Sequence, residues 1–200
     1  MSSRISKLLA QITALEDELR VALRDQESHM FFEIHGKRVE FESSVREAHL
    51  RLKQGILRWI VTDRPLNLVT GPIIYGLGLP LLVLDFSVTL YQALCFPVYG
   101  IAKARRGDFI VIDRQHLGYL NFIERFHCTY CAYANGLLAY ASEIAARTEQ
   151  YFCPIKHAHR VLGANPRSER FLPYGDAYDY HARLEEFRVA LGNAATEVPE

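Results

Sequence analysis

The fold of this chain depends most on residues 65–102, which read PLNLVTGPIIYGLGLPLLVLDFSVTLYQALCFPVYGIA. Asp85 is the only formally charged residue among these 38, although charged residues make up 23% of the whole chain. A mostly apolar run of about 18 residues or more is long enough to be embedded in a membrane. The composition therefore predicts a membrane-embedded segment, and the alternative is a buried hairpin in a soluble protein.

Glycine and proline residues predict how this segment is folded. A straight helix of this length would extend for about 57 Å, whereas the hydrocarbon core of a bilayer is about 30 Å thick. The run is interrupted at Gly78 and Pro80, so we expect a re-entrant or two-limb hairpin with its turn at residues 78–80 and a second limb over residues 81–101. Basic residues lie on both flanks, which favours both ends on the cytoplasmic side of the membrane.

The sequence predicts a mainly α fold in three parts. Residues 1–63 contain an amphipathic helix, a small β-hairpin centred on Gly36 and a second helix, because turn and strand signals alternate there with helical periodicity. Residues 64–103 form the apolar hairpin. Residues 104–200 form a helical metal-binding region followed by a C-terminal helix.

An apolar stripe at three- and four-residue spacing characterises residues 4–27. Its members are Ile5, Leu8, Leu9, Ile12, Leu15 and Leu19. Such a stripe needs a partner surface, which we expect to be another copy of the chain or residues 45–60. The sequence therefore predicts a homo-oligomer or a subunit of a membrane complex.

Overall composition limits the function classes. The chain has 23 basic and 23 acidic residues and an isoelectric point near 7.1, so it lacks the net basic charge typical of nucleic-acid binding. The N-terminal sequence does not have the pattern of a signal peptide. Four cysteines in a reducing compartment argue against a disulfide framework. We therefore expect a protein bound to membrane lipid on the cytoplasmic face.

Two pairs of potential metal ligands lie in the C-terminal half of the chain. Cys128 and Cys131 form C-x-x-C, and Cys153 and His157 form C-P-x-x-H. Three thiols and an imidazole suit a tetrahedral zinc ion and can also hold iron. We expect one helix to end near Gly136 and a second to follow, which would bring the pairs together. Buried packing cysteines and thiol redox chemistry are the alternatives.

Cys153 also precedes Pro154, a residue that fits the first position of a helix. The sequence therefore predicts a new helical segment with Cys153 as its N-cap. The positive end of that helix dipole would favour the Cys153 thiolate.

A second set of residues suits acid–base chemistry. Glu124 and His127 form the E-x-x-H pair that helical di-iron proteins use, although this chain has a single copy. Glu149 lies at helical spacing before the second ligand pair. Asp85 is costly within a bilayer, so it is either a functional carboxylate or a group near the membrane interface.

These observations predict a membrane-anchored, cytoplasm-facing protein with a Cys₃His zinc or iron site, acting as a scaffold or accessory subunit of a membrane complex. The alternatives are a membrane enzyme that uses a metal or thiol on a lipid or hydrophobic substrate, and a metal-free helical interaction module.

Overall fold

A computed structural model describes residues 32–35, 38–41, 43–53, 55, 66–159 and 161–193, together with isolated positions between 11 and 22. The chain is mainly helical, as predicted. The elements are β1 (Phe32–His35), β2 (Arg38–Phe41), α1 (Ser43–Leu52), α2 (Leu66–Gly76), α3 (Gly78–Tyr99), α4 (Arg106–Phe109), α5 (Phe122–Phe152) and α6 (Tyr180–Asn193). Short 3₁₀ turns occupy Arg114–His116 and Pro166–Arg170.

The N-terminal elements are described only in part. The backbones of β1 and β2 pair antiparallel, with Phe32 opposite Phe41. The predicted turn at Gly36 lies outside the described residues, so the complete β-hairpin stays a prediction. Most of the predicted apolar stripe also lies outside them, but Leu15 and Leu19 are helical and exposed.

The apolar run does not reverse direction at residues 78–80, so the predicted hairpin turn is wrong. Leu77, between α2 and α3, has helical dihedral angles (φ −65°, ψ −15°), and its carbonyl accepts a hydrogen bond from the Leu81 amide at 3.2 Å. Pro80 is tolerated because it lies in the first turn of α3, where a backbone N–H has no partner within the helix. Among the described residues, Val69–Tyr99 is the one helical segment long and apolar enough to cross a membrane, with a mean hydropathy of 1.9.

Helix α5 is continuous over 31 residues, so the predicted break at Gly136 is also wrong. The helix begins with a capping box, in which Asn121 and Glu124 each accept a hydrogen bond from the other's backbone N–H. Gly136 has a packing role instead. A Cβ atom there would lie 2.5 Å from the Phe109 carbonyl oxygen and 2.9 Å from Ile110 Cα. The absence of a side chain therefore lets the 109–110 backbone press against α5.

Helices α3 and α5 run parallel, side by side. The Tyr75 ring, at the end of α2, contacts the Tyr130 ring at 5.3 Å, and the Tyr99 ring contacts the Tyr151 ring at 5.0 Å. Residue numbers on the two sides therefore rise together. Parallel neighbours need a return connection, and residues 100–121 supply it. We call residues 100–121 the connector.

The hydrophobic core joins α3, the connector, α5 and α6. Gly100, with φ +68°, ends α3 in the left-handed conformation that favours glycine. The buried core residues are Phe96, Ile101, Ala104, Leu137, Tyr140, Ile144 and Leu191. The apolar segment and the C-terminal region therefore share one core, and α3 has an inner face that is covered by protein.

Replacement of Gly136 by alanine is expected to lower the free energy of unfolding by about 1–2 kcal/mol. Alanine ordinarily favours a helix interior by about 1 kcal/mol, but here its Cβ would overlap connector backbone, and overpacking of this kind costs about 1–3 kcal/mol. Chemical denaturation in mild detergent, followed by circular dichroism, would measure the change. Gly107→Ala is the matched control, since no atom lies within 4 Å of its Cβ position. A variant at Gly136 as stable as the wild type would contradict the close approach.

Candidate functional site

The structure does not bring the four predicted metal ligands together. Cys128 and Cys131 lie one turn apart near the start of α5, and Cys153 is the C-cap at the other end. The 22 residues from Cys131 to Cys153 correspond to about 33 Å along a helix. One ion with bonds of about 2.3 Å cannot join them. Among the described residues, no group of three or more His, Cys, Asp or Glu side chains is placed to hold a metal ion.

The predicted helix beginning at Cys153 is also not present. The Cys153 amide donates to the Glu149 carbonyl at 2.7 Å, so Cys153 closes the last turn of α5. Pro154 cannot continue that helix, because it lacks an amide hydrogen. The chain leaves as an extended segment that pairs through Ile155 with Leu172. Cys153 therefore lies at the negative end of a helix dipole, where the predicted support for a thiolate does not exist.

The predicted acid–base residues do not form one site either. The Glu124 carboxylate caps α5 by accepting from the Asn121 amide at 2.8 Å. The His127 ring stacks edge-on against Tyr75 with a centroid distance of 5.4 Å. Glu149 lies 22 residues beyond His127, about 33 Å further along the same helix. Glu124 therefore caps α5, His127 lies at the contact between α2 and α5, and Glu149 is remote from both.

Asp85 forms a polar cluster in the first half of α3. Its carboxylate accepts hydrogen bonds from Arg106 Nη2 at 2.7 Å, from Tyr133 Oη at 3.0 Å and from Thr89 Oγ1 at 3.4 Å. The Asp85 side chain is 15% exposed, whereas that of Arg106 is 47% exposed. Burial, together with the hydrogen bond to Asp85, raises the pKa of Tyr133, so the phenol remains a donor at neutral pH. The charge of Asp85 is thus neutralised within the protein.

Gln92 fastens the connector to both long helices. Its Oε1 accepts from the Ala104 amide at 2.7 Å, and its Nε2 donates to Tyr140 Oη at 2.8 Å and to the Ala104 carbonyl at 3.3 Å. The amide is buried, and all these partners are part-buried or buried. One side chain therefore satisfies two connector backbone groups and a tyrosine hydroxyl.

Glu143 is the centre of the most connected ionic cluster in the described part of the chain. Its carboxylate accepts from Arg147 at 2.8 Å, from Arg167 at 2.6–2.7 Å and from Asn165 at 3.2 Å. Burial raises the pKa of this carboxyl group, but the hydrogen bonds and charges of the two arginines outweigh that effect and leave the pKa below its usual value of 4.5. The cluster joins the 165–167 turn to α5, which makes its role structural.

Sequence reasoning missed three of these polar residues. Gln92, Tyr133 and Arg106 each form a hydrogen bond that the spacing of motifs does not reveal. A signal for Gln92 was available, since it follows Asp85 by seven residues on an otherwise apolar helix and therefore lies on the same face. Arg106 lies on the connector and Tyr133 on α5, and only the tertiary fold brings them to Asp85. The sequence therefore offered no comparable signal for them.

No part of the chain that the structure describes covers the opposite side of α3. We call it the outer face and define it by Leu79, Leu82, Val83, Phe86, Leu90, Leu94 and Val98, which repeat at three- and four-residue spacing. All seven are exposed, from 45% for Leu90 to 79% for Val98. On α2, Val69 and Ile73 are exposed to a similar degree. Soluble proteins rarely expose so long an apolar surface without a function for it.

The outer face is therefore the strongest candidate for a functional surface, and the polar clusters hold it in shape from the inner side. Comparison of the chain with family models, with curated proteins and with solved structures found no match. The fold defines a mainly helical protein. Its described residues contain one long apolar helix, and the inner side of that helix is covered by protein.

Proposed function

We propose that this chain is a membrane-bound helical protein, on the cytoplasmic face, that acts as a scaffold or accessory subunit and contacts lipid through the outer face of α3. The observation that carries the proposal is the exposure of seven large apolar side chains on one side of a helix. Full burial of a Leu, Val or Phe side chain is worth roughly 1.5–3 kcal/mol, so lipid contact would supply a large driving force.

Membrane contact also explains why α3 is apolar on both its inner and its outer side. A helix that packs on protein through one side and on lipid through the other needs apolar residues on both, and α3 has them. Its single carboxylate, Asp85, faces protein and is paired with Arg106, as expected of an ionisable group near a membrane. A helix packed wholly in a soluble core would instead have its outer side covered by the same chain.

The scaffold role rests on the arrangement of the remaining helices. Arg147 and Arg167 both pair with Glu143, and Arg167 thereby holds the 165–167 turn on α5. Gln92 holds the connector against the two long helices. These contacts join the remaining helices to the helix that contacts the membrane. Leu15 and Leu19 are exposed on a helical segment and are available to a partner protein or a second copy. We therefore propose that assembly occurs through the N-terminal helix, as its apolar stripe predicts.

Membrane fractionation tests the proposal. We expect the wild-type protein to sediment with membranes, to remain there in high salt and to dissolve only with detergent. The double variant Leu82→Asp with Phe86→Asp should lower the membrane-bound fraction at least tenfold, because a carboxylate is poorly tolerated in hydrocarbon.

The control is Val189→Asp, which introduces one carboxylate at an exposed valine on α6, and each single variant, Leu82→Asp and Phe86→Asp, is compared with it. This control should leave the membrane-bound fraction unchanged. Recovery of the wild-type protein in the soluble fraction without detergent would overturn the proposed function.

A further inference from the structure

We infer that α3 lies in the plane of the membrane surface, with its outer face toward the acyl chains, and does not cross the bilayer. This inference rests on the proposed function and specifies its geometry. A helix of 22 residues is about 33 Å long, so length alone permits a crossing. The position of the connector decides between the two arrangements.

The connector runs back along α3 and α5 at mid-length. Arg106 meets Asp85, the eighth of the 22 residues of α3, and the Ala104 backbone meets Gln92 seven residues further on. The 109–110 backbone then presses on Gly136, near the middle of α5. A crossing α3 would therefore carry this whole charged segment into the bilayer interior beside it.

Exposed charges on the connector make that arrangement unfavourable. Lys103, Arg105 and Asp108 are exposed to solvent, and Arg106 is half exposed. Charged side chains at mid-bilayer depth are costly unless they face protein or a water-filled cavity. The exposed side chains of the connector face neither protein nor an enclosed cavity, because they lie on the outside of the α3–α5 pair.

An in-plane arrangement satisfies both sides of α3. The outer face would enter the boundary between headgroups and acyl chains to the depth of about 5–10 Å that is typical of interfacial helices. A helix with its side chains is about 10–12 Å across, so the connector on the far side would stay in water. Apolar and charged groups would then each lie in their preferred surroundings.

The apolar composition of the outer face favours the acyl region of a lipid surface as its occupant. All seven side chains of the outer face are exposed aliphatic or aromatic groups, which suit the boundary between headgroups and acyl chains. A second copy of the chain is the other candidate occupant, since homodimer interfaces are also more apolar than the rest of a protein surface, and the experiment below distinguishes the two.

Two native cysteines provide a direct test of the geometry. Cys131 and Cys153 are both exposed and lie about 33 Å apart along α5, which runs parallel to α3. Membranes prepared as sealed vesicles are treated with a membrane-impermeant maleimide before and after permeabilisation, and the labelled sites are mapped by mass spectrometry. We expect both thiols to behave alike, either both labelled or both protected before permeabilisation.

A matched pair of introduced cysteines fixes the depth. Phe86→Cys and Arg105→Cys lie beside the same part of α3, one on the outer face and one on the connector. In permeabilised vesicles that retain the bilayer, we expect Arg105→Cys to be labelled at the rate of Cys131 and Phe86→Cys at least tenfold more slowly. Detergent dissolution with lipid removal should abolish most of that difference.

The remaining outcomes would overturn either the in-plane geometry of α3 or the proposed membrane function. Labelling of only one of Cys131 and Cys153 before permeabilisation, with slow labelling at position 105, would establish a crossing helix and leave the proposed membrane function intact. Formation of disulfide-linked dimers by Phe86→Cys in membranes would make a second copy the occupant. Full labelling of Phe86→Cys in a protein that stays soluble would overturn the proposed function itself.

Discussion

Replacement of Glu143 by alanine is expected to lower the free energy of unfolding by about 3 kcal/mol. The change would leave Arg147 and Arg167 without their shared carboxylate, at a site where Glu143 is only 9% exposed. Breaking a buried ion pair from one side costs about 3–5 kcal/mol, and the lower end applies because Arg167 keeps some contact with solvent. Denaturant titration in mild detergent would measure the loss.

The same variant should change how stability depends on pH. The folded-state pKa of Glu143 lies below its value in the unfolded chain, so the cluster contributes fully above about pH 4.5, and this contribution is lost as pH falls through the folded-state pKa. The stability difference between wild type and Glu143→Ala should therefore shrink at acid pH. Glu186→Ala, at an exposed position on α6, is the matched control and should lie within about 0.5 kcal/mol of the wild type. An unchanged difference at acid pH would show that the ion pairs are not its source.

Replacement of Gln92 by leucine is expected to cost about 2–3 kcal/mol. Leucine keeps the approximate volume but removes three hydrogen bonds, leaving the amide and carbonyl of Ala104 and the hydroxyl of Tyr140 without Gln92. A buried polar group that loses its partner costs about 1–3 kcal/mol, and partial access of water would reduce the sum. The connector should also loosen, which hydrogen exchange at the Ala104 amide would detect as faster exchange.

Gln115→Leu is the matched control for this prediction, because it makes the same substitution at an exposed position in the 114–116 turn. We expect it to change neither stability nor exchange at Ala104. If Gln92→Leu were as stable as this control and exchanged at the wild-type rate, the amide of Gln92 would not be what holds the connector.

The helical class of the protein could be predicted from the sequence, and so could the apolar segment. Both depend on local composition and periodicity, which residues close in sequence determine. The continuity of the helices through Gly136 and Pro80 could not be predicted from the same information. Gly136 and Pro80 are ordinarily helix breakers, but α5 gains a close packing contact at Gly136 and α3 places Pro80 in its first turn.

The structure does not bring the predicted metal ligands together, for a related reason. The spacing of Cys128, Cys131 and Cys153 is compatible with one ion only if the chain bends between them. Helix α5 instead continues through Gly136 and holds the two ends about 33 Å apart. A motif gives the identity of potential ligands, whereas the backbone between the motifs decides whether they meet.

By itself, the sequence determined that this protein has one long apolar segment containing a single carboxylate, because composition is a property of the chain alone. Only the tertiary structure decided which side of that segment faces protein. Asp85, Gln92 and Phe96 lie on the inner side because the connector and α5 supply partners for them there. The apolar residues of the outer face have no such partners, since no other described part of the chain reaches them.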